Sequence, residues 1–185
     1  ESNATIGGCI WDWVDQAIYE PNEIKQGVKR LHTGYDYPGP HQGNFVNNGL
    51  VSADRAWSAE LTEVKRVYQN VRFGNMAGKK CTVRNAFIFT NLDKFGLRYT
   101  VVEDGVPGET GTMDLPTTNP GAMQTITIPY TTELKANTET MLNLEVYLKE
   151  ATPWAEAGYV IATDQKTLRA YTRKLGNVEP ATNNP

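Results

Sequence analysis

Histidine and cysteine are scarce in this chain, with two of each among 185 residues. His32, His41, Cys9 and Cys81 show no spacing that suits zinc, and the numbers alone argue against a histidine-rich metal centre. Both cysteines read as reduced, half-buried thiols. No apolar run reaches the ~18 residues of a membrane span, so no transmembrane helix is written here. A basic surplus is missing too. Eighteen Lys and Arg stand against 21 Asp and Glu, a net charge of −3. That balance argues against a dedicated nucleic-acid binder. Gly-x-Gly-x-x-Gly and Walker patterns are absent, as are internal repeats, so nucleotide binding has no motif behind it. No charged segment followed by an apolar one opens the chain, so no signal peptide is visible. What is present suffices for a core: 39% of the residues are hydrophobic.

Composition changes near residue 70. The first part carries Trp11, Trp13 and Trp57, both histidines and long glycine-rich stretches. Ile6 to Val14 is almost continuously apolar on both parities. That pattern predicts a strand buried on both faces, as in a parallel sheet or barrel. A natural chain rarely opens on such a strand, so the expectation is a piece of a longer protein. Residues 19 to 56 show little periodicity, and a loop of that length is usually functional. The prolines of Tyr35-Asp36-Tyr37-Pro38-Gly39-Pro40 forbid a helix there. Ser58 to Gln69 predicts one clear helix. Leu61, Val64, Val67 and Tyr68 recur at helical spacing, Ser58 is a natural N-cap, and Lys65 and Arg66 suit the C-terminal end.

Beyond Asn70 the period becomes two. Cys81, Val83, Phe87 and Phe89 share one face of a strand. So do Leu97, Tyr99 and Val101; Ile126 and Ile128; and Leu142, Leu144, Val146 and Leu148. Tyr159 to Thr163 and Thr167 to Tyr171 are weaker strand candidates. Asn91-Leu92-Asp93, Asp104-Gly105 and Asn119-Pro120-Gly121 punctuate them as turns. Such spacing predicts an antiparallel β-sandwich of about 100 residues. The polar end of the chain reads as a linker or frayed tail.

Two constellations bear on chemistry. In Trp11-Asp12-Trp13-Val14-Asp15-Gln16, a tryptophan face offers an apolar platform to a sugar ring, with carboxylates and amides nearby for hydroxyls. Core packing of both tryptophans is the plainer alternative. Asp12 and Asp15 make a poor glycosidase pair: they are three apart, and Asp12 sits among apolar residues, where it pairs with an Arg or caps a turn. In Phe45-Val46-Asn47-Asn48-Gly49-Leu50-Val51, amide and carbonyl oxygens suit Na⁺, Ca²⁺ or sugar hydroxyls. Asn-Gly is equally a common tight turn.

Gly7 to Gln16, then Phe45 to Val51 with Ala53-Asp54-Arg55, then Leu61-Thr62-Glu63-Val64-Lys65 resemble, in order and spacing, the large β-galactosidases of glycoside hydrolase family 2. Ala151 to Gly158 looks like a segment near the end of that family's fourth domain. The resemblance covers nearly the whole chain and implies an organisation. Residues 1–69 are the last strand, long loop and final helix of a (β/α)₈ catalytic barrel. Residues 70–178 are an immunoglobulin-like antiparallel β-sandwich, and 179–185 are a linker or tail. The fold class is therefore mainly β.

The resemblance also implies roles. Trp11 becomes an apolar platform in the galactoside site. The Phe45 carbonyl and the Asn48 side chain become ligands of a sodium ion beside the galactose. Asp36 matches a family aspartate only loosely, and the stretch between Gln16 and Asn44 departs from the family. The two catalytic glutamates, the magnesium ligands and the remaining sodium ligand match nothing in this sequence. The expectation is a β-galactosidase parent that uses Na⁺ and Mg²⁺ and hydrolyses terminal β-galactosides with retention. The chain alone is expected to be inactive and to hold no cofactor tightly. Its partners are then the galactoside and the rest of the galactosidase chain, without nucleic acid or membrane. A homo-oligomeric parent and a cytoplasmic or periplasmic location both stay open. The competing expectation is a stand-alone carbohydrate-binding or scaffolding sandwich. It requires a solvent-facing aromatic row, with Tyr99, Tyr147 and Tyr159 as candidates.

Overall fold

The computed structural model describes Ala4, residues 6–41 and residues 46–171. The chain divides into two compact units, with the division between Tyr68 and Gln69. The tail at 179–185 lies outside the described residues.

The first unit is held by short elements. β1 (Ile18–Tyr19) pairs antiparallel with β2 (Leu31–His32). Between them lies α1 (Pro21–Lys25), with proline at its first turn, where the missing N–H costs nothing. A single 3₁₀ turn follows at Gly34–Asp36. The stretch from 19 to 56 is thus not structureless, contrary to the aperiodic sequence. Its elements are too short for a periodicity to register. α2 (Ala59–Val67) is the expected helix, and the Ser58 hydroxyl caps it by accepting the Leu61 N–H at 3.3 Å.

The strand expected over Ile6 to Val14 does not form. Residues 6–10 carry no regular structure, and Val14 makes one isolated parallel bridge, to Val51. A parallel strand needs a backbone partner along its length. Among the described residues, only the segment 46–51 offers one, and it meets residues 12–16 alone.

The second unit follows the alternation. One sheet has three strands in the order β3 (Val71–Phe73), β4 (Lys80–Asn85), β7 (Met123–Thr127). The other has four, β6 (Val106–Asp114), β5 (Phe95–Glu103), β8 (Thr140–Leu148), β9 (Val160–Arg169). All pairings between these strands are antiparallel. The two sheets share one core. Val71, Cys81, Val83 and Ile126 come from the first, and Leu97, Tyr99, Leu142, Leu144, Val146 and Leu148 from the second. Each buried leucine contributes about 1.5–3 kcal/mol. Asp104-Gly105 forms the two-residue hairpin turn, with φ of 47° and 80°. The β5–β6 register shifts between Thr100 and Val102, with the extra residue in β6, while β5 keeps an unbroken register with β8 and Val101 stays in the core.

Two details differ from the periodicity. β4 stops at Asn85, so Phe87 and Phe89 do not share its face, and Phe89 is 93% exposed. The cause is the fully buried Asn85 side chain. Its amide donates to the Thr90 and Thr118 carbonyls at 2.8 and 2.7 Å, and its oxygen accepts the Phe87 N–H at 2.9 Å. The two weak strand candidates near the end fuse into one strand, β9.

The loop after β7 is tied by Glu109. Its carboxylate accepts the Thr132 hydroxyl and the Thr131 and Thr132 N–H groups at 2.6 to 2.8 Å. The Thr132 hydroxyl bond, with the two main-chain bonds behind it, holds the Glu109 carboxyl below its ordinary value of 4.5. A depressed folded value stabilises the loop above the ordinary value and loses that effect as pH falls through the lowered one. The Thr131 and Thr132 amide resonances are expected to titrate with a midpoint below 4.5. Glu109→Gln is expected to abolish that titration. A midpoint at or above the ordinary value would contradict the carboxylate tie.

Candidate functional site

Residues 12–16 and 46–51 lace together through the backbone. The Asp12 N–H donates to the Asn48 carbonyl at 3.0 Å, and the Leu50 N–H returns to the Asp12 carbonyl at 3.1 Å. The Val51 N–H donates to Trp13 O at 3.1 Å, and the Asp15 N–H to Val51 O at 3.0 Å. Gln16 N–H closes the series on Val46 O at 2.8 Å. The Ser58 hydroxyl donates to the Leu50 carbonyl, linking the helix cap to the same segment. Sequence reasoning singled out both stretches; the structure brings them together.

The two aspartates of the tryptophan motif are both engaged, one within its own segment and one across the lacing. Asp12 accepts the Gln16 side-chain amide at 2.5 Å, not an arginine. Asp15 Oδ1 accepts the Gly49 N–H at 2.8 Å, across 34 positions of sequence. Gly49 is required here, because an added Cβ would meet Asp15 N at 2.2 Å.

Trp11 stands clear of this knot, 78% exposed. Trp13 is also exposed, so core packing of the pair does not occur in this chain. Asn48 is exposed on the laced segment. Phe45 lies outside the described residues. No group of three or more His, Cys, Asp or Glu that would hold a metal is found among the described residues. The hard oxygen of Asn48, on a backbone fixed by Asp12, fits one position of a hard cation's shell and no more.

A second cluster escaped the sequence. His32 is buried, and its Nε2 lies 2.7 Å from Glu23 Oε2. Asp36 sits 3.8 Å from His32 Nδ1 and takes Arg30 at 2.5 Å. The Thr33 N–H, then Arg30 and His32, hold the Asp36 carboxyl below its usual value. Tyr37 donates to Glu20, which pushes the phenol up to about 12. These contacts join α1, β2 and the 3₁₀ turn into one small body. No fixed spacing announces them. A cleft of about 490 Å³ runs between this body and the tryptophan motif, lined by Asp15, Gln16, His32, Thr33, Tyr37 and Arg55 among others. Among the described residues, no helix is long and apolar enough to cross a membrane.

Comparison with known proteins assigns the two units in turn. The family described as "Glycosyl hydrolases family 2, TIM barrel domain" matches residues 2–73. The family described as "Beta-galactosidase, domain 4" matches residues 81–169.

The chain belongs to glycoside hydrolase family 2. Relatives with the name Beta-galactosidase match across both units. That of Clostridium acetobutylicum is 37% identical over 164 residues, covering 88% of this chain. Those of Priestia megaterium and Photobacterium profundum are 36% and 35% identical over 89% and 88% of it. The chain spans 16–18% of the length of these relatives. The family 2 match over a laced, irregular segment accounts for its apolar run: such residues read as barrel sequence.

Proposed function

We propose that this chain is part of a β-galactosidase that hydrolyses terminal β-D-galactosides with retention. The observation that carries the reading is the continuous match to proteins named Beta-galactosidase across both units. Residues 1–69 are the end of the catalytic barrel, 70–178 the following immunoglobulin-like sandwich, and 179–185 a linker. Trp11 serves as the apolar platform for the galactose ring. Its exposure beside a fixed backbone supports this, since a platform must be both open and held. The Phe45 carbonyl and the Asn48 amide oxygen serve a sodium ion, and magnesium belongs to ligands elsewhere in the parent. Sodium, when bound, supplies a fixed positive charge beside the sugar hydroxyls.

Retaining chemistry needs two carboxyl groups about 5–5.5 Å apart, one as nucleophile and one as acid/base. Asp12 and Asp15 do not fill these roles: the Asp12 carboxylate accepts the Gln16 amide and the Asp15 carboxylate accepts the Gly49 N–H. The remainder of the galactosidase chain is therefore the partner that supplies the reacting groups. The sandwich serves as structure. Tyr99 is buried in its core, Tyr147 lies under the Arg98 guanidinium, and Tyr159 packs edge-on against Trp154. With Tyr99 buried, the three do not form one solvent-facing row, which disfavours the stand-alone sugar-binding sandwich.

The test is turnover of a nitrophenyl β-galactoside by the full-length protein and by the isolated chain. The full-length protein is expected to hydrolyse it and to release the β-anomer first. The isolated chain is expected to show no turnover. Hydrolysis by the isolated chain, or none by the full-length protein, would refute the reading.

A further inference from the structure

We infer that Asp15 is a positioning residue for Asn48, acting through the Gly49 amide. The inference rests on the proposed role of Asn48 as a cation ligand. The peptide unit between Asn48 and Gly49 is gripped by both of its polar groups. Its carbonyl accepts the Asp12 N–H at 3.0 Å, and its N–H donates to Asp15 Oδ1 at 2.8 Å. Asp12 contributes only backbone to this grip. Asp15 contributes a carboxylate, and an ionised acceptor makes the stronger bond. Gly49 leaves no alternative seat for the peptide, with Asp15 N, Val14 C and Val51 O all within 2.6 Å of a hypothetical Cβ.

The consequence for Asn48 follows from geometry. A short side chain is placed only as accurately as its own backbone. Losing the Gly49 N–H anchor leaves the 48–49 peptide held at its carbonyl alone, so the backbone at Asn48 can shift and carry Cα and Cβ with it. Asp15 touches neither sugar nor cation in this account. It sets where the Asn48 oxygen is presented, in the way outer-shell partners orient first-shell ligands.

The experiment uses the full-length protein and sodium alone as probe. ²³Na line-width titration, together with the rise of Tm in Na⁺ over K⁺, gives the half-saturating sodium concentration. Asp15→Ala is expected to raise it about 10- to 100-fold. Asp15→Asn is expected to stay within about threefold, because an amide oxygen still accepts the Gly49 N–H. Asp15→Glu keeps the charge but lengthens the arm, and is expected to weaken sodium about tenfold. That variant decides the matter if Asp15→Ala does not fold. A merely structural role would lower Tm equally in Na⁺ and K⁺ and leave half-saturation unmoved. Normal half-saturation in Asp15→Ala or Asp15→Glu, with Asn48→Ala weakened, would overturn the inference alone. Normal half-saturation in Asn48→Ala would overturn the cation role beneath it.

Discussion

Replacing Gly49 by alanine is expected to unlace residues 12–16 from 46–51. The new methyl would lie 2.2 Å from Asp15 N, 2.6 Å from Val14 C and 2.6 Å from Val51 O. All three are backbone atoms, and no rotamer change can move them aside. Overpacking of this kind costs about 1–3 kcal/mol, and more where nothing yields. Relief requires the 48–49 peptide to shift, which breaks its bonds to Asp12 and Asp15 together. The amides of Asp12, Asp15, Gln16, Leu50 and Val51 should therefore lose hydrogen-exchange protection as a group. Gly8→Ala is the control, since nothing lies within 4 Å of a Cβ there. Protection that survives in Gly49→Ala would show that the lacing is not what holds this segment.

Trp11→Ala in the full-length protein is the second large expected effect, and it acts on catalysis. At 78% exposure the indole contributes little to the core, so the change in stability is expected to stay within about 0.5 kcal/mol. As a platform, the ring removes on the order of 100 Å² of apolar surface from water when a sugar lies on it. That amounts to about 2.5 kcal/mol, or roughly 70-fold in kcat/KM. Trp11→Phe retains part of the face and should recover part of the loss. An unchanged kcat/KM in Trp11→Ala, with Tm unchanged, would remove Trp11 from the site. A fall in Tm that accounts for the lost activity would make it a packing residue instead.

How much of this was legible depended on how local the cause was. α2 was readable because its cap, its apolar spacing and its charges all lie within one short stretch. β8 was readable because inward and outward residues alternate without a break from Thr140 to Leu148. The end of β4 was not. Phe87 and Phe89 continue the period of two, yet Asn85 stops the strand through a carbonyl 33 positions away. The apolar run at Ile6 to Val14 forms no strand in this chain, for the opposite reason. Its composition is that of a strand flanked by others, and a strand is defined by its neighbours. The site divides in the same way. Trp11 and Asn48 were singled out as candidates by motif, since each sits in a contiguous signature. The Asp15–Gly49 contact and the His32 cluster arise only on folding, between residues with no characteristic spacing.

The proposed function makes this segment part of a much larger galactosidase. The intact mass of the source-cell protein that contains the peptide from Gly7 to Gln16 tests it most directly. A mass several times the 20.6 kDa of this chain is expected. A mass near 20.6 kDa would contradict it, because the product would then lack the rest of the barrel and both reacting carboxylates.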